Sequence, residues 1–247
     1  MEISEVIIDK LANAESVAVL TGAGISAESG IKTFRDKDGL WAKFSPEELA
    51  SMDGFLANPK RVWEWYNLRM EVVKNAEPNP GHFALAELEA MYSDFSLATQ
   101  NIDRLHQRAG SKHVLELHGN LVENFCNKCH APFHGETALP NGQVPLCPEC
   151  GGNIRPAVVW FGENLPAEAL LEAEAAARRC DVYLTIGTSG AVYPAAGLPL
   201  IAAQRKAFVV EINPKETEVT PYFSAHINGA SGVVLPELVK KIKQARK

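Results

Sequence analysis

The sequence lacks the features that mark membrane-spanning and nucleic-acid-binding proteins. Nowhere in its 247 residues does an apolar run approach the roughly 18 residues that a membrane-spanning helix requires. Basic residues are not in excess, since 24 Lys and Arg stand against 30 Asp and Glu, for a formal net charge of −6. Proteins that bind a phosphate backbone present a basic surface. We therefore expect no membrane association and no direct binding to nucleic acid.

Signs of secretion and of flexible linkers are also missing. Residues 1–15 have neither the basic stretch nor the small-residue cleavage site of a signal peptide. The sequence shows no low-complexity linker and no internal repeat, and its hydrophobic content of 46% is ordinary for a packed domain. Of the five cysteines only Cys180 lies outside a C-x-x-C pair, which suits a reducing compartment. We expect a cytoplasmic protein in which Cys180 is a small buried side chain.

Four cysteines form two C-x-x-C pairs, Cys126 with Cys129 and Cys147 with Cys150. Each pair places two thiolates on one tight turn, and four sulfurs match the tetrahedral coordination of Zn²⁺. Because all four positions are filled, no site remains for a metal-bound water, and the ion is predicted to be structural. A redox motif and chance spacing are the alternatives, and two pairs at zinc-ribbon spacing disfavour both. We predict one structural Zn²⁺ per chain.

Short apolar runs alternate with helical stretches over most of the chain. The predicted strands are 16–21, 95–99, 114–117, 181–186 and 207–212, and the predicted helices include 81–91, 167–179 and 195–204. Such alternation predicts an α/β fold, with a Rossmann-like parallel sheet and helices on both faces.

Two segments break the alternation. Residues 36–75 are polar and helical in pattern, and residues 120–155 hold the cysteines among several prolines and glycines. We predict a single domain, 1–247, in which the helical insertion 36–75 and the zinc-ribbon insertion 120–155 form a small lobe. The Rossmann-like core then comprises 1–35, 76–119 and 156–247.

A glycine-rich turn follows the first predicted strand. Gly22, Ala23, Gly24 and Ala27 fit the G-x-G-x-x-G/A pattern, in which glycine permits a tight turn and close approach to a pyrophosphate. The next helix would offer N–H groups to that anion, and a plain turn is the alternative. A dehydrogenase is disfavoured, because the acidic residue expected about 20 positions further on would fall in a loop-like segment. The ribose partner is then expected at a later strand end, such as Asn213.

Polar residues follow several other predicted strands, and the carboxyl ends of parallel strands form the edge at which ligands bind. Asn101 and Asp103 follow the second strand and could read a carboxamide, or could simply cap the next helix. His118 follows the third strand, and its pKa near 6.5 suits a general base, with a purely structural histidine as the alternative. The segment 187–189 could hydrogen-bond phosphate and ribose hydroxyls.

Together these motifs resemble the signature of the sirtuins, the NAD-dependent protein-lysine deacylases. The resemblance covers essentially the whole chain and rests on GAGISAESGI (22–31), TFR (33–35), TQNID (99–103), HG (118–119), the four cysteines, VWFGE (159–163), GTS (187–189) and IN (212–213). Two positions depart from the pattern. Lys32 stands where the family usually has proline, which should loosen the cofactor-binding loop, and Ser231 stands where a small residue or cysteine is expected near the adenine.

The resemblance implies that acyl groups are removed from protein lysines with consumption of NAD, giving nicotinamide, O-acyl-ADP-ribose and free lysine. His118 would be the general base on a ribose hydroxyl, and Asn101 and Asp103 would line the nicotinamide pocket, so that nicotinamide should inhibit as a product. The further NAD-contacting positions implied are Gly22, Ala23, Gly24, Ser26, Phe34, Arg35, Gln100, Ile102, Gly187, Thr188, Ser189, Asn213 and Ser231. An acyl-lysine protein or peptide would be bound as an added strand against Val159, Phe161, Gly162, Glu163 and Tyr193.

Tyr66 and Arg69 lie three residues apart on a predicted helix and therefore share one face. A phenol and an arginine fork would bind a carboxylate. Sirtuins with this Y-x-x-R pair resemble the class that removes succinyl, malonyl or glutaryl groups. The alternative is an amphipathic helix with an ordinary surface arginine.

Two other classes of function remain open. One is an NAD-dependent ADP-ribosyltransferase that uses the same site. The other is a zinc-ribbon binding module with a degenerate nucleotide fold, which the intact set of His118, Asn101 and Asp103 disfavours.

Overall fold

The computed structural model describes residues 3–33, 45–137 and 143–246. The strands are β1 Ser16–Thr21, β2 Asp94–Thr99, β3 Val114–Glu116, β4 Gly119–Cys126, β5 Pro132–Phe133, β6 Ile154–Val158, β7 Val182–Ile186, β8 Phe208–Asn213 and β9 Ala225–Asn228. The α-helices are α1 Glu5–Ala12, α2 Pro46–Leu49, α3 Met52–Ala57, α4 Pro59–Asn75, α5 Pro80–Glu89, α6 Leu105–Arg108, α7 Ala167–Arg179, α8 Leu198–Gln204 and α9 Ser231–Ala245. Short 3₁₀ helices cover Ala23–Ser29, Ala195–Gly197 and Thr220–Tyr222.

The main sheet is parallel, with strands in the order β3-β2-β1-β7-β8-β9. Counting only its own strands along the chain, this order is 3-2-1-4-5-6, the order of a doubly wound dinucleotide-binding fold. The direction of winding reverses between β1 and β7. Ligands of such sheets bind outside the carboxyl ends of the strands at this reversal, which is where the glycine-rich turn leaves β1.

Both faces of the sheet are covered by helices. Because successive side chains of a strand point to opposite faces, Val17 and Val19 of β1 join one core and Ala18 and Leu20 join the other. The first core includes apolar residues of α1, α5 and α9, and the second includes those of α7 and α8. The predicted Rossmann-like sheet with helices on both faces is confirmed.

A small lobe completes the fold. Its antiparallel sheet has the order β5-β4-β6, and its buried core combines apolar residues of α2, α3 and α4 with residues of β4 and β6 and with two of the cysteines. Capping side chains define where its helices begin: Ser51 Oγ accepts from Gly54 N before α3, and Asn58 Oδ1 accepts from Arg61 N before α4.

Three local features differ from the sequence prediction. The start of a helix expected after the glycine turn is a 3₁₀ helix, Ala23–Ser29. Strands β4, β5, β6 and β9 were not predicted, because each is short or carries polar residues or proline. The helix predicted at 195–204 is divided into a 3₁₀ helix, Ala195–Gly197, and α8, Leu198–Gln204.

Among the described residues, no helix is both long enough and apolar enough to cross a membrane.

Candidate active site

The turn after β1 and the turn after β7 pack directly on each other. Gly22 N donates to Ile186 O at 2.9 Å, and Gly24 N donates to Gly187 O at 2.8 Å. A Cβ atom at Gly22 would lie 2.8 Å from Gly187 O, and one at Gly24 would lie 2.6 Å from Gly187 Cα. Glycine is therefore required here by the contact between two loops, in addition to any approach of a ligand. Ala23, which lies between the two glycines, is the first residue of the 3₁₀ helix Ala23–Ser29.

Thr188 connects the ends of three parallel strands at this edge. Its Oγ1 accepts from Gln100 Nε2 at 2.9 Å, and its carbonyl accepts from Asn213 Nδ2 at 2.9 Å. Gln100 follows β2, Thr188 follows β7 and Asn213 ends β8. The neighbouring Ser189 is partly exposed. The residues predicted to contact phosphate and ribose thus lie at one edge of the sheet.

A buried polar cluster lies next to this edge, centred on the Ser26 hydroxyl. Ser26 Oγ donates to Asp103 Oδ2 at 2.7 Å and accepts from Asn101 Nδ2 at 3.0 Å. His82 Nε2 approaches the same hydroxyl at 3.4 Å. Asn79 N donates to His82 Nδ1 at 3.2 Å, so the proton of a neutral His82 is on Nε2, and this ring donates to Ser26. The network therefore runs from His82 through Ser26 to the Asp103 carboxylate.

Burial sets the electrostatics of this cluster. Burial raises the pKa of the Asp103 carboxyl, whereas the Leu105 amide, the Ser26 hydroxyl and the nearby Arg69 charge act to lower it. It also lowers the pKa of His82 to about 4, so this ring is neutral at neutral pH. Asp103 Oδ1 accepts from Leu105 N at 2.9 Å, so this residue also supports the start of α6 as the capping alternative expected. Ile102 is buried, and its carbonyl accepts from Leu121 N.

His118 is half-buried just beyond the end of β3. Its Nδ1 lies 3.0 Å from the Gln100 carbonyl oxygen. A carbonyl can only accept, so Nδ1 carries the proton and Nε2 is left with its lone pair. Burial lowers the pKa of His118, while the hydrogen bond to Gln100 opposes this shift. At neutral pH the ring is therefore a neutral base with Nε2 as the accepting atom.

Tyr66 and Arg69 of α4 are both buried. Arg69 is only 9% exposed, so the alternative of an ordinary surface arginine is wrong. The Arg69 guanidinium lies over the Trp65 ring at 4.8 Å, and burial lowers its pKa while Tyr66 and Asp103 oppose this. Tyr66 Oη accepts from Trp160 Nε1 at 2.8 Å, which leaves the phenolic proton to be donated. Burial raises the pKa of Tyr66 to about 12.

The segment 159–163 begins beside His118, because Val159 N donates to the His118 carbonyl at 2.9 Å. Phe161 and Gly162 are exposed. Glu163 instead turns inward, where its carboxylate pairs with the buried Arg155 and accepts from Trp160 N at 2.7 Å. Arg155 also lies 3.4 Å from the centre of the Trp160 ring. Glu163 thus shapes the loop from within, while Phe161 presents its side chain outward.

The remaining predicted positions lie around this region. Tyr193 is 64% exposed in the loop after β7. Ser231 is buried at the first turn of α9, where Gly232 N donates to the Glu28 carboxylate at 2.6 Å. Phe34 and Arg35 lie outside the described residues. Lys32 is exposed at the end of the described part of this loop.

The four predicted zinc ligands come together in the small lobe. The Sγ atoms of Cys126, Cys129, Cys147 and Cys150 all lie within 4.8 Å of one another. The Cys126–Cys150 and Cys129–Cys147 sulfur pairs are 3.5 and 3.7 Å apart. Zn–S bonds of ~2.3 Å in a tetrahedron place sulfurs about 3.8 Å apart. The four thiolates therefore fit a tetrahedral zinc ion with all positions filled.

Comparison with known proteins agrees with this geometry. Residues 22–194 match the Sir2 family. The chain belongs to the Sir2 family. A relative from Pyrobaculum aerophilum, named NAD-dependent protein deacylase 2, is 50% identical over 238 residues, which cover 96% of this chain and 95% of that protein.

Solved Sir2 structures superimpose closely on this Sir2 chain. A Sir2 homologue in complex with NAD is 46% identical, with a TM-score of 0.93 over 100% of this chain and 96% of that one. A Sir2 protein bound to an acetylated peptide is 34% identical, with a TM-score of 0.88 over the full length of both chains.

Several residues of the site were missed by the sequence analysis. His82, Arg104 and Arg155 lie outside the predicted strand-end motifs, and each acts through side-chain contacts that the motifs do not include. Asn79 was missed too, although the N-P-G-H sequence at 79–82 carries a capping signal: Asn79 is the N-cap of α5, and its Nδ2 donates to Ile25 O and Ser29 Oγ.

Proposed function

We propose that this protein is an NAD-dependent protein-lysine deacylase. The observation that carries the proposal is the neutral His118, with Nε2 as acceptor, at the sheet edge that also holds the buried Ser26, Asn101 and Asp103 cluster. A nearly full-length relative named for this activity supports it. The products would be free lysine, nicotinamide and O-acyl-ADP-ribose.

The position of NAD follows from the sheet. The two turns at 22–24 and 187–189 lie where the winding reverses. The N–H groups of Gly22, Gly24 and Gly187 are used within the fold, so the phosphates would be held chiefly through the Thr188 and Ser189 hydroxyls. Asn213 and Ser231 would contact the adenosine half. Gln100 and Ile102 flank the pocket, and Phe34 and Arg35 are proposed to close it.

NAD is a co-substrate in this reaction: its bond between nicotinamide and ribose is broken, and the ribose accepts the acyl group. The buried amide of Asn101 and the carboxyl of Asp103 would bind the nicotinamide carboxamide, which presents one acceptor and two donor hydrogens. Because the same pocket would bind the released product, nicotinamide is expected to inhibit. Ser26 fixes both side chains through its hydroxyl.

His118 would take the proton from a ribose hydroxyl. Its Nδ1–H is held by the Gln100 carbonyl, which anchors the ring and leaves the Nε2 lone pair to accept a proton. Burial favours the neutral form of the ring, which is the form that can accept a proton. This residue is the proposed catalytic residue of the acyl transfer.

The acyl-lysine peptide would be bound as an added strand next to His118. Val159, Phe161, Gly162 and the backbone of Glu163 would form one side, and Tyr193 the other. Val159 is hydrogen-bonded to the His118 backbone, so a strand along this segment would pass the base. The exposed side chains of Phe161 and Tyr193 offer apolar surface to such a strand.

We further propose that acidic acyl groups, such as succinyl, malonyl and glutaryl, are accepted through Tyr66 and Arg69. The guanidinium is desolvated on the Trp65 ring, and the Tyr66 phenol still has a proton to donate. A carboxylate in this apolar setting would gain a charge-assisted hydrogen bond from each. Simple acetyl groups would fit the same pocket without these bonds.

The remaining proposals concern the small lobe and the compartment. The four cysteines would hold one structural Zn²⁺, which supplies folding energy to the lobe and no chemistry to the site. Thiolate ligands must stay reduced, which suits the cytoplasm. The division into core segments 1–35, 76–119 and 156–247 with insertions 36–75 and 120–155 remains a proposal.

A panel of acetyl-, malonyl- and succinyl-lysine peptides with NAD, read by mass spectrometry, tests the function. We expect NAD-dependent loss of the acyl mass from the peptide and equimolar O-acyl-ADP-ribose and nicotinamide. An NAD-dependent ADP-ribosyltransferase on the same site would instead add ADP-ribose mass to protein and leave the acyl group in place. Nicotinamide release with that mass gain would therefore overturn the deacylase proposal.

A further inference from the structure

Arg104 has a backbone conformation that arginine rarely adopts. It lies directly after Asp103 and before α6, with φ 57° and ψ 22°, in the left-handed region. Residues other than glycine are uncommon there, and asparagine and aspartate tolerate it best. Such outliers persist only where surrounding contacts enforce them. The side chain of Arg104 shows what those contacts are.

The guanidinium of Arg104 binds two carboxylates from two different strands. Nε donates to Glu116 Oε1 at 2.9 Å and Nη2 to Glu116 Oε2 at 3.3 Å, which makes a two-point contact with β3. Nη2 also donates to Glu123 Oε1 of β4 at 2.6 Å. We call these three residues, Arg104, Glu116 and Glu123, the Arg104 clamp.

Neighbouring side-chain amides hold the Glu116 carboxylate and the Glu123 backbone in place. Gln107 Nε2 and Asn120 Nδ2 each donate to Glu116 at 2.8 Å. Asn120 Oδ1 accepts from Glu123 N at 2.9 Å. Arg104 and Glu116 are mostly buried, with side chains 29% and 17% exposed, and exposed pairs without such a network contribute little. The hydrogen bond to Glu116 raises the pKa of Arg104, so the guanidinium stays charged.

The clamp joins the two segments that carry the proposed chemistry. Backbone contacts already place them side by side: Leu117 N donates to Thr99 O, and Leu121 N donates to Ile102 O, each at 3.0 Å. His118 lies between these two contacts, two residues after Glu116. Asp103 immediately precedes Arg104. The backbone hydrogen bonds of Leu117 and Leu121 lie on either side of the proposed base. The Arg104 clamp adds a side-chain contact between the same two segments.

We propose that Arg104 is a positioning residue that fixes the distance between the 101–103 segment and His118. In this proposal Arg104 contacts neither NAD nor the acyl-lysine peptide. It holds the proposed nicotinamide pocket and the proposed base at a fixed distance from each other. The consequence for catalysis rests on the proposed function. Acyl transfer needs both groups in register, whereas exchange of labelled nicotinamide into NAD needs chiefly the pocket. Loss of the clamp should therefore slow deacylation more than exchange.

The test uses Arg104→Asn, which removes the guanidinium but tolerates the left-handed backbone, so the fold is not lost through strain. Arg104→Lys keeps the charge without the two-point fork and should fall in between. The matched control is Arg178→Gln, which breaks an ion pair with Glu174 on the exposed side of α7, remote from the site. Three quantities are compared in the full chain: deacylation rate, nicotinamide exchange rate, and hydrogen exchange of the Leu117 and Leu121 amides.

For Arg104→Asn we expect deacylation to fall by roughly ten- to a hundred-fold, and nicotinamide exchange by less than about threefold, because small displacements from the productive geometry are costly. The Leu117 and Leu121 amides should exchange faster than in the wild type, and Arg178→Gln should match the wild type throughout. An equal fall of both rates would mean general damage and would overturn the proposal.

Hydrogen exchange of the Leu117 and Leu121 amides tests the positioning role of Arg104 independently of the proposed deacylase function. If the wild type removes no acyl group, the proposed function fails, yet faster exchange at Leu117 and Leu121 in Arg104→Asn would still support the positioning contact. Unchanged exchange at both amides would overturn it, whether or not the wild type is active.

Discussion

A single hydrogen bond determines how His118 can act. Its Nδ1–H is held by the Gln100 carbonyl, so the proton acceptor is Nε2, and burial lowers the pKa of the ring. The proposed base works when neutral, so activity should be present above the pKa of His118 in the folded protein and should be lost as pH falls through that pKa. We expect the acid limb of the deacylation rate to lie below about 6.5, the usual histidine value.

Replacing His118 by alanine should slow deacylation by ~10²–10⁴-fold, the range for loss of a general base, while NAD still binds. The matched control is His113→Ala, since His113 is exposed just before the same strand and its ring lies beside Glu172 at the surface. Steady-state rates and NAD affinity measure the difference. Near-normal turnover in His118→Ala would remove this residue from the mechanism.

The proposed acceptance of acidic acyl groups predicts a specific role for Arg69. A charge-assisted hydrogen bond contributes roughly 1.5–3 kcal/mol, and ~1.4 kcal/mol corresponds to a tenfold change. Arg69→Met keeps the apolar stem and should lower kcat/KM for succinyl-lysine by about ten- to a hundred-fold, while acetyl-lysine, which has no carboxylate, should change little. Arg61→Met, on the exposed side of the same helix, is the control. If both activities fall by the same factor, Arg69 is structural.

Single residues at strand ends could be predicted from the sequence, because a parallel sheet brings all its carboxyl ends to one edge. Ser26, Asn101 and Asp103 indeed come within hydrogen-bonding distance. His82 and Arg155 could not be predicted, because each acts through a partner that only the tertiary fold brings near. The position of the Glu163 side chain could not be predicted either. Its motif predicted a contact with the substrate, whereas its carboxylate is paired with Arg155.

Among the elements, the apolar strands of the main sheet were predicted to within one or two residues, because buried runs are bounded by polar turns. Strand β6 was missed, since Arg155 and Pro156 interrupt it and neither is typical of a buried strand. Its arginine is accommodated by Glu163 and the Trp160 ring. The small antiparallel sheet depends on such long-range contacts, so its sequence carries little periodic signal.

The contact between the turns after β1 and β7 predicts an intolerant position. In Gly24→Ala the new Cβ would lie 2.6 Å from Gly187 Cα, and backbone on both sides leaves no side chain to move away. Overpacking of this kind costs about 1–3 kcal/mol, so the free energy of unfolding should fall by that amount and NAD affinity should weaken.

The control for this element is Gly197→Ala. Its Cβ would meet Tyr193 at 3.9 Å, an ordinary contact, in a 3₁₀ helix. Urea denaturation of the two variants measures the difference. Equal stability of Gly24→Ala and the wild type would mean that the two turns do not pack as closely as described.

At the scale of the whole molecule, the small lobe has a core of its own. Trp63, Phe55 and Ile154 are fully buried there together with Cys126, and Trp63 Nε1 donates to Ile154 O at 2.8 Å. The same core includes Val158 and Trp160, next to the loop that begins at His118. The zinc cluster is therefore linked by packing to the loop that is proposed to bind the substrate.

The last prediction concerns this metal cluster. Cys126→Ala leaves three thiolates around the ion and removes a sulfur that is wholly buried in the lobe core. Since binding energy at a structural zinc site is also folding energy, the variant should lose its zinc, and the lobe should unfold at lower temperature than the parallel sheet. Cys180→Ala is the matched control: this buried cysteine packs between α7 and the sheet, outside the cluster. It should keep one zinc per chain, with only the modest stability loss of a small cavity. Elemental analysis and thermal unfolding followed by tryptophan fluorescence measure both effects. Full zinc content and unchanged lobe stability in Cys126→Ala would contradict a four-cysteine structural site.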